Sequence, residues 1–131
     1  MIFDRDRLAA LLASREAPGV RLALLFGSRG RGTATPGSDI DLALLCTRAM
    51  SGAERLDLIG DIGALFGLPV DLIDLHHAPY PVTGEALGGD RLIGDAETFA
   101  TLATRHLTDR EDFGPLHDRA IDAKLDRWLR R

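Results

Sequence analysis

The stretch GSRGRGTATPGSDIDL, residues 27–42, connects two apolar runs and decides how the chain is interpreted. The run before it, VRLALLF at residues 20–26, is rich in residues that favour a buried strand. The run that it leads into, DIDLALL at residues 39–45, has the same character. Gly, Pro, Ser and Thr dominate the segment between them, which is typical of a loop with a short helix at Ser28. The sequence therefore predicts two strands joined by a polar loop.

Two acidic residues, Asp39 and Asp41, lie where this loop enters the second strand. Side chains alternate along a strand, so both carboxylates face one side while Ile40 and Leu42 face the core. Neighbouring carboxylates repel each other unless a positive charge lies between them, and a divalent cation is the simplest such charge. Mg²⁺ prefers carboxylate oxygens combined with substrate phosphates. The spacing therefore predicts a magnesium site at the start of the second strand.

Gly27 and Ser28 follow directly on the first strand and suit the binding of an anion. A helix that begins there has unpaired backbone N–H groups in its first turn, and these attract phosphate. The glycine lets a phosphate approach the backbone closely, and the serine hydroxyl can donate to a phosphate oxygen. One strand end therefore offers a phosphate site and the next a metal site, and phosphoryl or nucleotidyl transfer needs both.

A third strand, VDLIDL at residues 70–75, adds two further carboxylates. Asp71 and Asp74 are three residues apart, so they face opposite sides of the strand and only one can join the first pair. We favour Asp71, because its apolar neighbours repeat the alternation seen around Asp39 and Asp41. A third carboxylate in this place can act as base on an acceptor hydroxyl or complete a second metal site.

The remaining segments complete one domain that covers residues 1–131. Apolar periodicity and capping patterns predict helices over residues 4–15, 51–66, 95–108 and 115–130, and a short fourth strand over residues 91–93. The helix at 51–66 begins with the capping-box pattern of Ser51 and Glu54. The catalytic core is expected over residues 20–75 and a helical tail over residues 95–131. This order predicts an α/β or α+β domain, with a small mixed sheet and flanking helices.

The composition excludes several classes of protein. The chain has 131 residues, is 45% hydrophobic and carries a formal net charge of −4, which suits one folded domain but not a nucleic-acid coat. It has no run of 18 apolar residues, and its first 16 residues are typical of an amphipathic helix rather than a signal peptide. We therefore expect a cytoplasmic protein that associates with neither membranes nor nucleic acid. The single cysteine, Cys46, is predicted to be a small core residue.

The stretch at residues 27–42 resembles the signature of the polymerase-β-like nucleotidyltransferase superfamily, which is G-S, about ten residues, and then D-x-D. The brevity of the chain and the VDLIDL strand after one helix resemble the minimal nucleotidyltransferases in particular. Some of these are antitoxins in two-gene pairs with a HEPN toxin. The resemblance is strongest over residues 20–75. Residues 89–120 are similar to the tail of those antitoxins in their general residue pattern.

The resemblance implies a set of site residues in this chain. Asp39 and Asp41 would bind two Mg²⁺ ions, and Asp71 would be the third carboxylate of the catalytic and metal-binding set. The expected nucleotide contacts are Gly27, Ser28, Arg29, Arg31 and Ser38. The family frequently has an alanine at the position of Gly30, so this glycine is expected to loosen the short helix.

The resemblance also implies a function. Antitoxin members of the family transfer AMP from ATP to a tyrosine hydroxyl of their HEPN toxin, so ATP, Mg²⁺ and such a toxin are the expected substrate, cofactor and partner. Assembly with the toxin or with further copies of the chain would be compatible with this function. Two alternatives are an antitoxin that neutralises its toxin by binding alone and a nucleotidyltransferase that modifies a small molecule such as an aminoglycoside.

Some of these residues also have a simpler interpretation. Arg29 and Arg31 can be exposed loop arginines without a ligand. Asp74 is interpreted as a solvated or turn-forming acid. Trp128 is expected on the apolar face of the last helix, where it belongs to the core or to a partner interface.

Overall fold

A mixed four-stranded sheet is the central element of the computed structural model, which describes residues 2–77, 86 and 88–109. The helices and strands in chain order are α1 (Arg5–Ala13), β1 (Val20–Phe26), α2 (Gly27–Arg31), β2 (Ile40–Cys46), α3 (Gly52–Phe66), β3 (Val70–Asp74), β4 (Asp90–Ile93) and α4 (Ala96–Asp109). All four predicted strands are present, within one residue of their predicted ends. The predicted helix over residues 115–130, including Trp128, lies outside the described residues.

The strand order is β3-β2-β1-β4. Strand β1 pairs antiparallel with both β2 and β4, whereas β2 and β3 pair parallel and are connected through α3. The prediction of a small mixed sheet with flanking helices is therefore confirmed. No helix in the described part of the chain is long and apolar enough to cross a membrane.

Both faces of the sheet are covered by helices. One face packs against the apolar sides of α1 and α3, with Leu8, Leu12, Leu58, Ile62 and Phe66 in the core. The other face packs against α4 through Phe99, Leu102 and Ala103. Strand β1 contributes alternate residues to both layers, which explains why VRLALLF is an almost continuous apolar run rather than an alternating one.

The helix ends follow the local sequence signals. The Asp4 side chain caps α1 by accepting a hydrogen bond from the backbone of Asp6 at 2.9 Å. Ser51 and Glu54 form the predicted capping box at the start of α3. Gly67 ends α3 in the left-handed conformation at φ 66°, and the chain then turns directly into β3. These signals fix where β3 starts, and therefore where its acidic residues lie relative to β2.

The interpretation of Asp74 as a solvated acid is wrong, although it does form a turn. The residue is 9% exposed, and its carboxylate accepts hydrogen bonds from the backbone N–H of Met50 and of His76, each at 2.9 Å. It thereby ties the residues before α3 to the end of β3. Nearby, the prediction for Cys46 is confirmed, because its thiol is buried and burial raises its pKa to about 11.

We expect Asp74→Ala to lower the free energy of unfolding by about 2–4 kcal/mol, because two backbone donors would lose their buried acceptor. Asp57→Ala is the matched control, since the Asp57 side chain is 74% exposed and lies 3.6 Å from Arg15. An exposed pair of that kind is worth less than about 1 kcal/mol. Urea denaturation followed by circular dichroism measures both changes, and equal effects would contradict the assigned role of Asp74.

Candidate active site

The candidate site lies where β1 ends and β2 and β3 begin. Phe26, the last residue of β1, is the register partner of Asp41 in β2, and Asp41 is the register partner of Asp71 in β3. The end of β1 and the two carboxylates are therefore adjacent across three strands, whose spacing is about 4.8 Å per pair. The antiparallel β1–β2 pair and the parallel β2–β3 pair together bring distant parts of the sequence to one sheet edge.

Asp41 and Asp71 share one face of the sheet, and Asp74 lies on the other. Asp41 alternates with Ile40 and Leu42, which are in the core layer under α1 and α3, so its carboxylate faces the α4 side. Asp71 alternates in the same way with buried Leu72 and is itself exposed. Of the two acids in β3, only Asp71 therefore meets the geometric requirement for a partner of Asp41.

Asp39 lies one residue before β2 and is exposed. Within the described residues, no group of three or more His, Cys, Asp or Glu side chains is arranged to hold a metal ion unaided. Mg²⁺ does not require such a cage, because it is commonly bound by one or two carboxylates together with waters and substrate phosphates. The register pair of Asp41 and Asp71, with Asp39 at the strand entrance, fits that kind of site.

Gly27 lies between the predicted phosphate site and the predicted metal site. It is the first residue of α2, has φ 64°, and lies so close to Asp41 that a Cβ atom would overlap the Oδ2 oxygen of that carboxylate. Glycine is thus required twice, for the left-handed backbone and for the close approach. The N-cap residue Phe26 provides no side-chain acceptor for the first turn of α2. The backbone beside Asp41 therefore suits a phosphate oxygen, as the sequence predicts for Gly27 and Ser28.

Gly30 has a packing role that its sequence context does not indicate. A Cβ atom at Gly30 would overlap the carbonyl oxygen of Leu25, and one at Gly89 would lie 2.5 Å from the same oxygen. The absence of a side chain at Gly30 therefore allows α2 to pack tightly on the end of β1, and the expected loosening of α2 stays a prediction. Sequence reasoning missed Gly88 and Gly89, although the paired glycines before β4 are a visible signal of close backbone approach.

A cleft of about 220 Å³ opens next to Gly27, between α2 and the segment before β4. Its lining residues are Phe26, Gly27, Gly30, Arg31, Gly88 and Gly89. Arg31 is exposed at this cleft, so its predicted contact with the nucleotide remains a prediction that the geometry allows. Because four of these six residues are glycines, no side chain fills the space beside the predicted phosphate site.

Arg29 and Ser38 are engaged within the protein itself. The Nη2 and Nε atoms of Arg29 donate to the carbonyl oxygen of Ser38 at 2.8 and 3.2 Å. The Ser38 hydroxyl accepts a hydrogen bond from the backbone N–H of Thr35 at 2.8 Å. Their predicted contact with the nucleotide stays untested, but in this structure both side chains fix the loop that leads to Asp39.

The two adjacent histidines after β3 lie away from the candidate site. The Nε2 atom of His76 is 2.9 Å from the carbonyl oxygen of Cys46, and His77 is exposed. This contact connects the ends of β2 and β3, at the edge of the sheet opposite the acidic residues. The histidines are therefore remote from the candidate chemistry.

Comparison with known proteins identifies the family. The model of the polymerase beta nucleotidyltransferase family matches residues 8–98, which include every candidate site residue. The protein adenylyltransferase MntA of Shewanella oneidensis is 36% identical over 61 residues, which are 47% of this chain and 44% of that protein. The match therefore spans less than half the length of this relative.

Solved structures share the fold over most of the chain. A crystal structure of a toxin–antitoxin with AMP-PNP has a TM-score of 0.76 and 23% identity, covering 92% of this chain and 98% of that chain. A second solved structure is the complex of a tri-AMPylated HEPN toxin of Shewanella oneidensis with MNT antitoxin. One of its chains matches with a TM-score of 0.59 and 20% identity, covering 82% of this chain and 90% of that chain. The described architecture is therefore one that solved proteins also adopt.

We expect Gly27→Ala to weaken the binding of ATP in the presence of Mg²⁺ by at least about tenfold, because the new methyl group displaces the Asp41 carboxylate. Gly32→Ala is the matched control, since Gly32 also has positive φ, at 76°, but a Cβ atom there meets nothing within 4 Å. Both variants should lose about 1–2 kcal/mol of stability from backbone strain alone. Isothermal titration calorimetry and urea denaturation separate the two effects, and equal ATP affinities would contradict the role of Gly27.

Proposed function

Since this chain belongs to the polymerase beta nucleotidyltransferase family, we propose that it transfers AMP from ATP to a tyrosine hydroxyl of a HEPN toxin and so acts as an antitoxin. The observation that carries the proposal is the close approach of the Gly27 backbone to the Asp41 carboxylate, with Asp71 as the register partner of Asp41. The proposal is supported because the Gly27 backbone, which we assign to phosphate, lies beside the Asp41 carboxylate, which we assign to Mg²⁺, and beside Asp71, which we assign as the base. Each is needed for nucleotidyl transfer.

In the proposed reaction, the tyrosine oxygen attacks the α-phosphorus of ATP. The new oxygen–phosphorus bond joins AMP to the toxin, and the bond to the bridging oxygen breaks, so that pyrophosphate leaves. The backbone N–H groups at Gly27 and Ser28 hold the triphosphate, and the Asp71 carboxylate takes the proton of the attacking hydroxyl. The exposure of Asp71 supports this assignment, because an acceptor from another protein must reach it.

Asp39 and Asp41 are the residues we assign to Mg²⁺, with Asp71 completing the carboxylate set. Their oxygens are the hard ligands that this ion prefers. Bound Mg²⁺ would offset the negative charge of the phosphates during transfer. Without a cation, three carboxylates beside a triphosphate would repel it, so the donor set itself supports a metal-dependent reaction.

The proposed partner rests on the relatives. The match to the adenylyltransferase MntA covers 61 residues, and solved toxin–antitoxin structures, including one with an AMPylated HEPN toxin, share the fold. The Asp41-to-Asp71 edge of the sheet is the surface that such a toxin must approach. We propose that the reaction takes place in the cytoplasm, where ATP and Mg²⁺ are both available.

We expect Asp39→Asn/Asp41→Asn to reduce AMP transfer by on the order of 100-fold or more, because neutral amides bind Mg²⁺ poorly. The assay follows the label from α-labelled ATP to a purified HEPN toxin that is added as the acceptor. Asp57→Asn, on the exposed side of α3, is the matched acidic control and should transfer at the normal rate. All three proteins should unfold at similar urea concentrations.

Two outcomes would contradict the proposal in different ways. If the double variant transfers AMP normally, the assignment of Asp39 and Asp41 is wrong. If neither form labels the toxin but both neutralise it, the protein acts by binding alone. Labelling of a small-molecule acceptor and of no protein would instead favour an enzyme of the antibiotic-modifying type.

A further inference from the structure

The guanidinium group of Arg29 is tied to the loop that precedes Asp39. It donates two hydrogen bonds to the carbonyl oxygen of Ser38, at 2.8 and 3.2 Å, and makes longer contacts with the carbonyl oxygens of Thr35 and Pro36 at 3.5 and 3.4 Å. A planar guanidinium can serve several carbonyl groups at once, whereas an ammonium group cannot reproduce this geometry. Arg29 therefore contacts three carbonyl groups of the 35–38 loop with one side chain.

One face of the same guanidinium lies over an aromatic ring, whereas the hydrogen bonds leave from its edge. The Cζ atom of Arg29 is 4.4 Å from the ring centroid of Phe3, which is the distance of a cation–π contact. Phe3 in turn packs against Phe66 of α3, with ring centroids 5.1 Å apart and planes tilted by 43°. The loop is thus connected, through one arginine and two aromatic rings, to the core under the sheet.

The loop is further fixed by its own hydrogen bonds. The backbone N–H of Thr35 donates to the Ser38 hydroxyl at 2.8 Å, and the backbone N–H of Ser38 donates to the carbonyl oxygen of Thr35 at 3.0 Å. Asp39 follows immediately, and the next residue, Ile40, is held by a 2.9 Å hydrogen bond from its N–H to the carbonyl oxygen of Pro69. The position of the Asp39 carboxylate therefore depends on the loop on one side and on β2 on the other.

We propose that Arg29 and Phe3 are positioning residues that hold the 35–38 loop and thereby set the place of Asp39 in the metal-binding set. The inference rests on the proposed function only for the role of Asp39. It differs from the expectation that Arg29 contacts the triphosphate, because the observed hydrogen-bond partners of its side chain are loop carbonyl oxygens. It also gives a role to Phe3, which is remote in sequence from the site.

The test compares Arg29→Lys and Phe3→Leu with two controls in the full chain. Phe3→Leu keeps an apolar side chain but removes the ring face, and Phe3→Tyr restores the ring. Ile2→Ala is the control for a change at the neighbouring position, because Ile2 is 86% exposed. Arg7→Lys is the control for the loss of a guanidinium on an exposed helix surface.

The first measurement is amide hydrogen exchange of the ligand-free protein, followed residue by residue with NMR. We expect the amides of Thr35 and Ser38 to exchange at least about tenfold faster in Arg29→Lys and Phe3→Leu, and at the wild-type rate in Phe3→Tyr and both controls. Unchanged exchange in Arg29→Lys and Phe3→Leu would overturn the proposal. This readout does not require any catalytic activity.

The second measurement is steady-state AMP transfer at varied ATP and Mg²⁺ concentrations. We expect both Arg29→Lys and Phe3→Leu to lower kcat or raise the half-saturating Mg²⁺ concentration by about 10–100-fold, with little change in KM for ATP. An increase in KM for ATP confined to Arg29→Lys, with Phe3→Leu normal, would show that Arg29 is a phosphate ligand and would overturn the proposal. If the wild-type protein transfers no AMP, the proposed function fails, and the exchange rates alone decide the role of Arg29 and Phe3.

Discussion

The close approach of the Gly27 backbone to the Asp41 carboxylate is the constraint on which the candidate site depends. It requires that β1 end opposite the beginning of β2, and the antiparallel register with Phe26 beside Asp41 meets that requirement. It also requires a residue without a side chain at positive φ, directly after a buried strand. The positions of the apolar run, of Gly27 and of the paired acids therefore depend on one strand register. A shift of that register by one residue would turn the Asp41 side chain into the core.

The alternation of side chains along β3 gives its two acidic residues different roles. Asp71 lies in register with Asp41 and is exposed, whereas Asp74 is buried and accepts hydrogen bonds from two backbone N–H groups. Both are aspartates of one five-residue strand, and their sequence surroundings are similar. Their environments differ because a strand presents successive residues to opposite layers, one of which here is the core under α3.

The local features of this protein could be predicted from its sequence, and the long-range ones could not. Strand positions and the alternation around Asp41 and Asp71 follow from a periodicity of two residues, and the Ser51–Glu54 cap follows from its own local pattern. The stacking of Arg29 on Phe3 joins residues 26 positions apart, and the packing of Gly89 on Leu25 joins residues 64 positions apart. No local pattern contains such contacts, so the hydrogen bonds of Arg29 with the loop cannot be predicted from the sequence.

The burial of β1 on both faces has a consequence for how the chain is made. Its hairpin partner β2 follows within 20 residues, but its other neighbour β4 and the covering helix α4 come some 65 to 75 residues later. During synthesis, the face of β1 that packs against α4 therefore stays uncovered until residues near Phe99 have been translated. Such a segment pairs readily with other chains or binds chaperones. The loop between β1 and β2 is therefore synthesised well before α4, and the fold around it is completed only when α4 has been made.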